Sequence, residues 1–343
     1  MVTFTARHNS QPLKIVMQAS VSDYREQINR ELNNYSFGQQ PNELYEPIRY
    51  ILSLGGKRLR PLLVLLAYRL FRDNELDKSV LTPALAVEVF HNFTLMHDDI
   101  MDRAPLRRGK PTVHIEWNPN IAILSGDVML VRAYEMLLEV PPNQLAAVIK
   151  AFNQCAAEVC EGQQWDMNFE SEAKVSEDEY LAMIRQKTAV LLGFSLKLGG
   201  MLADADETSQ EQLYEFGEKV GVGFQLMDDW LDVYADQGKF GKQVGGDIIA
   251  NKKTFLLIKA LEQAKGAEAD TLQYWLAQTD FTNEEKVQAV KEVYEKLQIS
   301  GQTQEKMNTY FEQGFQALEQ LSVDDERKAA LRNFTQQLMR REK

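Results

Sequence analysis

Two aspartate trios are the first groups in this chain that could do chemistry: Asp98, Asp99 and Asp102, then Asp228, Asp229 and Asp232, each spaced D-D-x-x-D. With twenty aspartates in 343 residues, chance supplies roughly 0.07 copies of that spacing, so a repeated copy points to a shared task. On a helix the first and third carboxylates of a trio lie one turn apart on one face and can hold a hard cation between them. Magnesium suits such sparse oxygen sites, because it keeps several waters and is completed by a substrate's phosphate. Neither trio lies in a calcium-loop pattern. A solvated acidic face is the alternative for one trio alone. Like charges one turn apart destabilise a helix by roughly 0.2–0.5 kcal/mol, and incurring that cost twice at one spacing favours ligation.

Cations adjoin both trios. Lys57, Arg58 and Arg60 form a compact basic stretch; Arg103, Arg107, Arg108 and Lys110 follow the first trio; Lys239, Lys242, Lys252 and Lys253 follow the second, and Lys187 precedes Thr188. Arginine offers a fork and lysine a point charge to phosphate. Ion pairing with the aspartates themselves is the alternative for any one of these groups.

The elements that must position these residues read as helices. Leu85, Val89, Phe93, Met96 and Ile100 step as a core-facing stripe, while His91, Thr94, Asp98 and Asp102 make a second, polar stripe. Val220, Phe224, Met227, Leu231 and Tyr234 form the apolar stripe of the later helix, with Gln225, Asp228 or Asp229, and Asp232 on another face. Gly221 and Gly223 imply close packing there, since glycine costs a helix about 1 kcal/mol against alanine. Helix starts are read at Thr82 with Pro83, at Ser176 with Glu179, at Thr282 with Glu285 and at Ser322 with Asp325. The best strand candidate, Thr112 to Ile115, is short. The fold class expected is all-α, a single large helical bundle over residues 21 to 343, after an N-terminal segment, residues 1 to 20, expected to be mobile.

Composition agrees. Nineteen glycines and ten prolines are about 8% of the chain against an average near 12%, which favours long helices. The net charge of −12 argues against nucleic acid and anionic membranes as partners, and no apolar run reaches spanning length. Cys155 and Cys160, on different faces of one helix, make neither a disulfide framework nor a zinc site. A reducing compartment, the cytoplasm, is expected.

Together, GGKRLRP at 55 to 61, HNFTLMHDDIMD at 91 to 102, LRRGKPTVH at 106 to 114, GQQWD at 162 to 166, KT at 187 and 188, GFQLMDDWLD at 223 to 232, and GK with NKK at 241 to 253 resemble the trans-isoprenyl diphosphate synthases, of short-chain type. The match covers roughly residues 25 to 300 in the expected order. The resemblance implies a deep central cavity within the helical bundle, and magnesium-dependent, head-to-tail condensation of isopentenyl diphosphate with a dimethylallyl, geranyl or farnesyl diphosphate, usually by a homodimer with three magnesium ions around the bound diphosphate. Carried over by motif, Asp98, Asp102, Asp228 and Asp232 would hold metal. Arg107, Lys187, Thr188, Gln225, Lys242 and Lys252 would contact the allylic diphosphate, and Lys57, Arg60, His91 and Arg108 the isopentenyl diphosphate. Gln163 and Asp166 would support the metal and lysine side, whereas His97 and His114 are read as structural.

Phe93 and Thr94, the fifth and fourth residues before the first aspartate, would line the tunnel floor. The wheel places Phe93 in the core stripe, so a packing role stands beside that of a wall. A ring at the fifth position suggests an early stop; with no two-residue insertion in the first motif and no aromatic at Thr94, C15 and C20 both stay open, C20 slightly ahead. A terpene cyclase would need one allylic diphosphate, and a catalytically silent partner subunit would have lost motif residues. Residues 262 to 343 are assigned to packing.

Overall fold

The computed structural model describes residues 21–74, 76–235 and 245–340. The opening segment, Lys239 and Lys242 lie outside the described residues. The chain folds as α1 (Val21–Asn34), α2 (Asn42–Ser53), α3 (Leu59–Phe71), α4 (Lys78–Met101), a two-residue antiparallel ribbon of β1 (Leu106–Arg107) with β2 (Lys110–Pro111), α5 (Val113–Glu116), α6 (Pro119–Leu137), α7 (Pro142–Ser171), α8 (Glu177–Ile184), a π-helical turn (Arg185–Ala189), α9 (Val190–Leu202) and α10 (Glu207–Tyr234). After residue 244 come α11 (Gly246–Ile249), α12 (Phe255–Gln263), α13 (Ala267–Ala277), α14 (Asn283–Lys296), α15 (Ile299–Glu319) and α16 (Asp325–Met339). The all-α expectation holds. Among the described residues, no helix is long and apolar enough to cross a membrane.

Helices α3 and α9 are apolar almost all round, the pattern of helices buried on every side. They pack on each other, with α4 beside α3, α6 on α4, and α10 between α9 and α15. A second, smaller core gathers Val233, Ile248, Leu256, Leu272, Val290 and Tyr294 from α10 to α14. Close packing at the two glycines of α10 is borne out: an added Cβ would meet Ala189 Cα at 2.6 Å from Gly221, and the Phe311 ring at 2.7 Å from Gly223.

Some local readings need correction. The long helix α4 starts earlier than Thr82, because Asp77 accepts the Ser79 amide and caps it, leaving Pro83 inside. Thr282 occupies its cap position without a side-chain bond, and Asp324, not Ser322, precedes α16. The Ser176–Glu179 capping box is present. The best strand candidate, Thr112 to Ile115, is instead the cap residue and body of α5; the ribbon lies just before it. Cys155 is buried and Cys160 exposed on α7, both unpaired.

Arg58, in left-handed backbone conformation at the start of α3, has its guanidinium buried against Glu88 at 2.9 Å, with further bonds to Leu52 O and Asn29 Oδ1. It is therefore occupied by the fold rather than offered to a ligand. Removing one partner strands a buried charge, so Glu88→Ala should lower unfolding free energy by about 3–5 kcal/mol in urea; a loss within the range of an ordinary surface change would contradict the account.

Candidate active site

A cavity of about 250 Å³ opens between α4, α7, the π-helical turn and α9, lined by Arg60, His91, Phe93, Thr94, His97, Asp98, Met101, Val159, Gln163, Lys187, Thr188 and Leu191 among others. Asp98 of the first trio and Lys187 are among its polar lining residues. Asp98 Oδ1 is 3.3 Å from Lys187 Nζ, which donates to Asp166 Oδ2 at 2.6 Å. Asp102 caps α4 one turn on, its amide bonded to Asp98 O at 2.8 Å. Desolvation and the Asp98 charge push its carboxyl up to about 6. Asp99 turns inward: it is buried, and both its oxygens accept from Arg107, at 2.7 Å each. That bidentate pair orients Arg107 beside the trio.

The second trio divides in the same way. Asp228 is exposed and Asp232 half-buried, but Asp229 is buried, accepting from Gln225 Nε2 at 3.0 Å and from the Tyr180 hydroxyl. Thr188 Oγ1 donates to Gln225 Oε1 at 3.2 Å, which links the second trio to the π-helical turn. Burial, then the nearby Asp247, pushes Asp229 up to about 7. Asp232 Oδ2 accepts the Asp247 amide at 2.9 Å.

Lys252 joins the two sides. Against the lowering effect of desolvation, the charges of Asp166, Asp247, Asp229 and Asp102 raise its pKa above lysine's ordinary value. Asp166 in turn acts on Asp102 and on Asp247. The two trios thus share Lys252 as a counter-charge, with Asp166 a further like charge beside the first trio and Asp247.

The other basic residues form a second group. Arg60 borders the cavity with a buried Nε that has no hydrogen-bond partner, and burial brings its pKa down to about 10. Arg108 reaches back to Gly55 O, and Lys57 is exposed on the intervening turn. Burial and then the charges of Arg60, Arg108, Arg107 and Arg58 hold His91 well below the ordinary histidine range. It is therefore a neutral hydrogen-bonding group.

Sequence reasoning missed three features. Asp247, in the G-G-D stretch just before NKK, belongs to the second acidic cluster; burial pushes it up to about 6. Tyr180 holds the buried aspartate. The third is the π-helical turn carrying Lys187 and Thr188, a form often found at functional sites. Gly162 makes room for it: a Cβ there would stand 2.2 Å from Lys187 N.

The donor set fits magnesium. It consists of hard carboxylate oxygens, and Asp98 Oδ1 is buried without a hydrogen bond, with the Lys187 ammonium 3.3 Å away.

Residues 41–297 match the family model described as polyprenyl synthetase. The chain is 43% identical over 233 residues to a geranylgeranyl diphosphate synthase of Methanosarcina mazei, covering 67% of this chain and 71% of that one. It is 40% identical over 267 residues to a short chain isoprenyl diphosphate synthase of Methanocaldococcus jannaschii, covering 78% and 80%. The fold superposes on a crystal structure of a geranylgeranyl pyrophosphate synthase with a TM-score of 0.89 at 42% identity, covering 94% of this chain and 99% of that one. The same comparison with the Pyrococcus horikoshii geranylgeranyl pyrophosphate synthetase gives 0.85 at 32% identity, covering 94% and 98%. This chain belongs to the polyprenyl synthetase family, and it is a prenyltransferase.

Proposed function

We propose that the protein condenses isopentenyl diphosphate with an allylic diphosphate, head to tail, to release diphosphate and a trans-prenyl diphosphate of C15 or C20, with C20 ahead. What supports this reading is that carboxylates of both trios, Asp102 and Asp229, act on the one Lys252, and that Asp98, ion-paired to Lys187, lines a cavity walled also by apolar side chains such as Phe93, Met101, Val159 and Leu191. A charged head and a hydrocarbon tail fit one hollow.

Asp98 and Asp102 on one side, and Asp228 with Asp232 nearby on the other, would hold magnesium, three ions with the diphosphate, which when bound stabilises charge growing on the leaving group. Arg107, oriented by Asp99, would add a fixed fork to that diphosphate, Lys187 and Lys252 point charges, and Thr188 and Gln225 hydrogen bonds. Lys57, Arg60, His91 and Arg108 would hold the isopentenyl diphosphate, His91 donating a hydrogen bond without adding charge. The allylic carbon–oxygen bond breaks with its electron pair leaving on diphosphate, the isopentenyl double bond attacks the allylic carbon, and a proton passes to the departing diphosphate. No protein nucleophile is required. Val159, Leu191 and Phe93 keep water from the allylic cation.

Incubation with magnesium, isopentenyl diphosphate and each of the dimethylallyl, geranyl and farnesyl starters, followed by mass analysis, tests the reading. Linear C15 or C20 diphosphates support it; cyclised hydrocarbons, or no condensation with any starter, contradict it.

Phe93 is both wall and core. Its ring lines the cavity and lies 5.6 Å from Phe90, itself 5.1 Å from Phe152. Phe93→Ala should lengthen the product, with Phe90 and Phe152 limiting the gain; an unchanged length distribution would reject the wall.

We also propose a cytoplasmic homodimer. Leu124 and Val131 on α6 and Leu138 at its C-terminal cap recur every seven residues, each more than half exposed, an apolar stripe that a second copy would cover.

A further inference from the structure

We propose that His97 helps set product length by wedging between Phe93 and α6 and so fixing the Phe93 ring at the tunnel floor. The inference rests on the condensation reading above.

His97 and Phe93 lie one turn apart on α4, their ring centroids 4.8 Å apart at an interplanar angle of 66°, edge to face. Both line the cavity. The imidazole is anchored from its far side: Nε2 is 3.1 Å from Ile123 O on α6, with Asp127 Oδ1 at 4.0 Å. Helix α6 is hollowed to receive it, because a Cβ on Gly126 would stand 2.3 Å from Nε2 and 2.6 Å from Cδ2. Phe93 is thus held between the Phe90 ring on one side and an imidazole that α6 keeps from withdrawing on the other. A free phenylalanine ring at the end of a growing chain could rotate aside and admit further units. This one has its escape filled. The size of the residue at position 126 then becomes a length determinant, though it touches no substrate.

Two substitutions should act in opposite directions on products made from the same starter. His97→Ala removes the wedge and should raise the proportion of products longer than the wild-type one by roughly two- to tenfold, the scale of one lost ring contact. Gly126→Ala presses the imidazole toward Phe93 and should shift products toward shorter chains. Total isopentenyl incorporation and melting temperature, measured alongside, separate this from a general loss of packing, which would lower yield without moving length. If His97→Ala does not fold, Gly126→Ala decides: shorter products support the inference, and unchanged or longer ones overturn it. An unchanged distribution in His97→Ala beside a lengthened one in Phe93→Ala also overturns it and leaves the condensation reading intact. Absence of prenyl diphosphate from the wild-type protein would instead sink that reading.

Discussion

Asp98→Ala is expected to lower the rate of product formation by roughly 10²–10³-fold, the scale of losing a group that stabilises developing charge, with the helical circular-dichroism spectrum unchanged. The asymmetry follows from where the side chain lies. Asp98 belongs to the polar stripe of α4 and is ion-paired to Lys187, which keeps Asp166 at 2.6 Å when Asp98 is removed. Packing of the helix rests on Leu85, Val89, Phe93 and Met96, all buried. Asp228→Ala, on the exposed face of α10, should behave likewise. Near-wild-type turnover at saturating magnesium would remove the metal assignment.

Gly162→Ala should be nearly as damaging for a different reason. The atoms that a methyl group would meet are backbone: Lys187 N at 2.2 Å, and Gln186 C and Lys187 Cα at 2.7 Å. Backbone cannot rotate away as a flexible side chain can, so the π-helical turn must move. Overpacking of this kind costs about 1–3 kcal/mol, and a displacement near 1 Å at a positioned group can cost about 10²-fold in rate. We expect a lower melting temperature and a larger proportional loss of kcat. Gly301→Ala, where nothing lies within 4 Å, is the control and should retain both. Wild-type kcat in Gly162→Ala would show that the turn does not position Lys187 for catalysis.

Much of the site was legible from spacing alone, because helical periodicity converts sequence distance into direction. The stripe through Asp98 and Asp102, the core stripe of α10 and the close packing at Gly221 and Gly223 all follow from it. Periodicity was less informative where a tertiary partner decides. The wheel left Asp228 and Asp229 as alternatives, and the buried Tyr180 and Gln225 settle which one turns inward. Asp99 is drawn in by Arg107 in the same way. Helix starts were misread at Thr82 and Ser322 because several nearby polar residues can cap, and only local backbone geometry selects one. The π-helical turn has no compositional mark; the glycine facing it at 162 was the trace it left. Asp247 is hard to see in the sequence because it follows the second trio by 15 residues and is tied to it by a tertiary bond, its amide donating to Asp232.

The central claim is that the two acidic trios hold one diphosphate together through divalent cations. The most direct measurement is a double-mutant cycle on binding of an unreactive thiolo analogue of geranyl diphosphate, by calorimetry with and without magnesium, using Asp98→Asn, Asp228→Asn and the pair. The account predicts that affinity depends on magnesium and that the two losses are strongly non-additive, since either change disrupts the same bound assembly. Additive losses, or binding indifferent to magnesium, would contradict it.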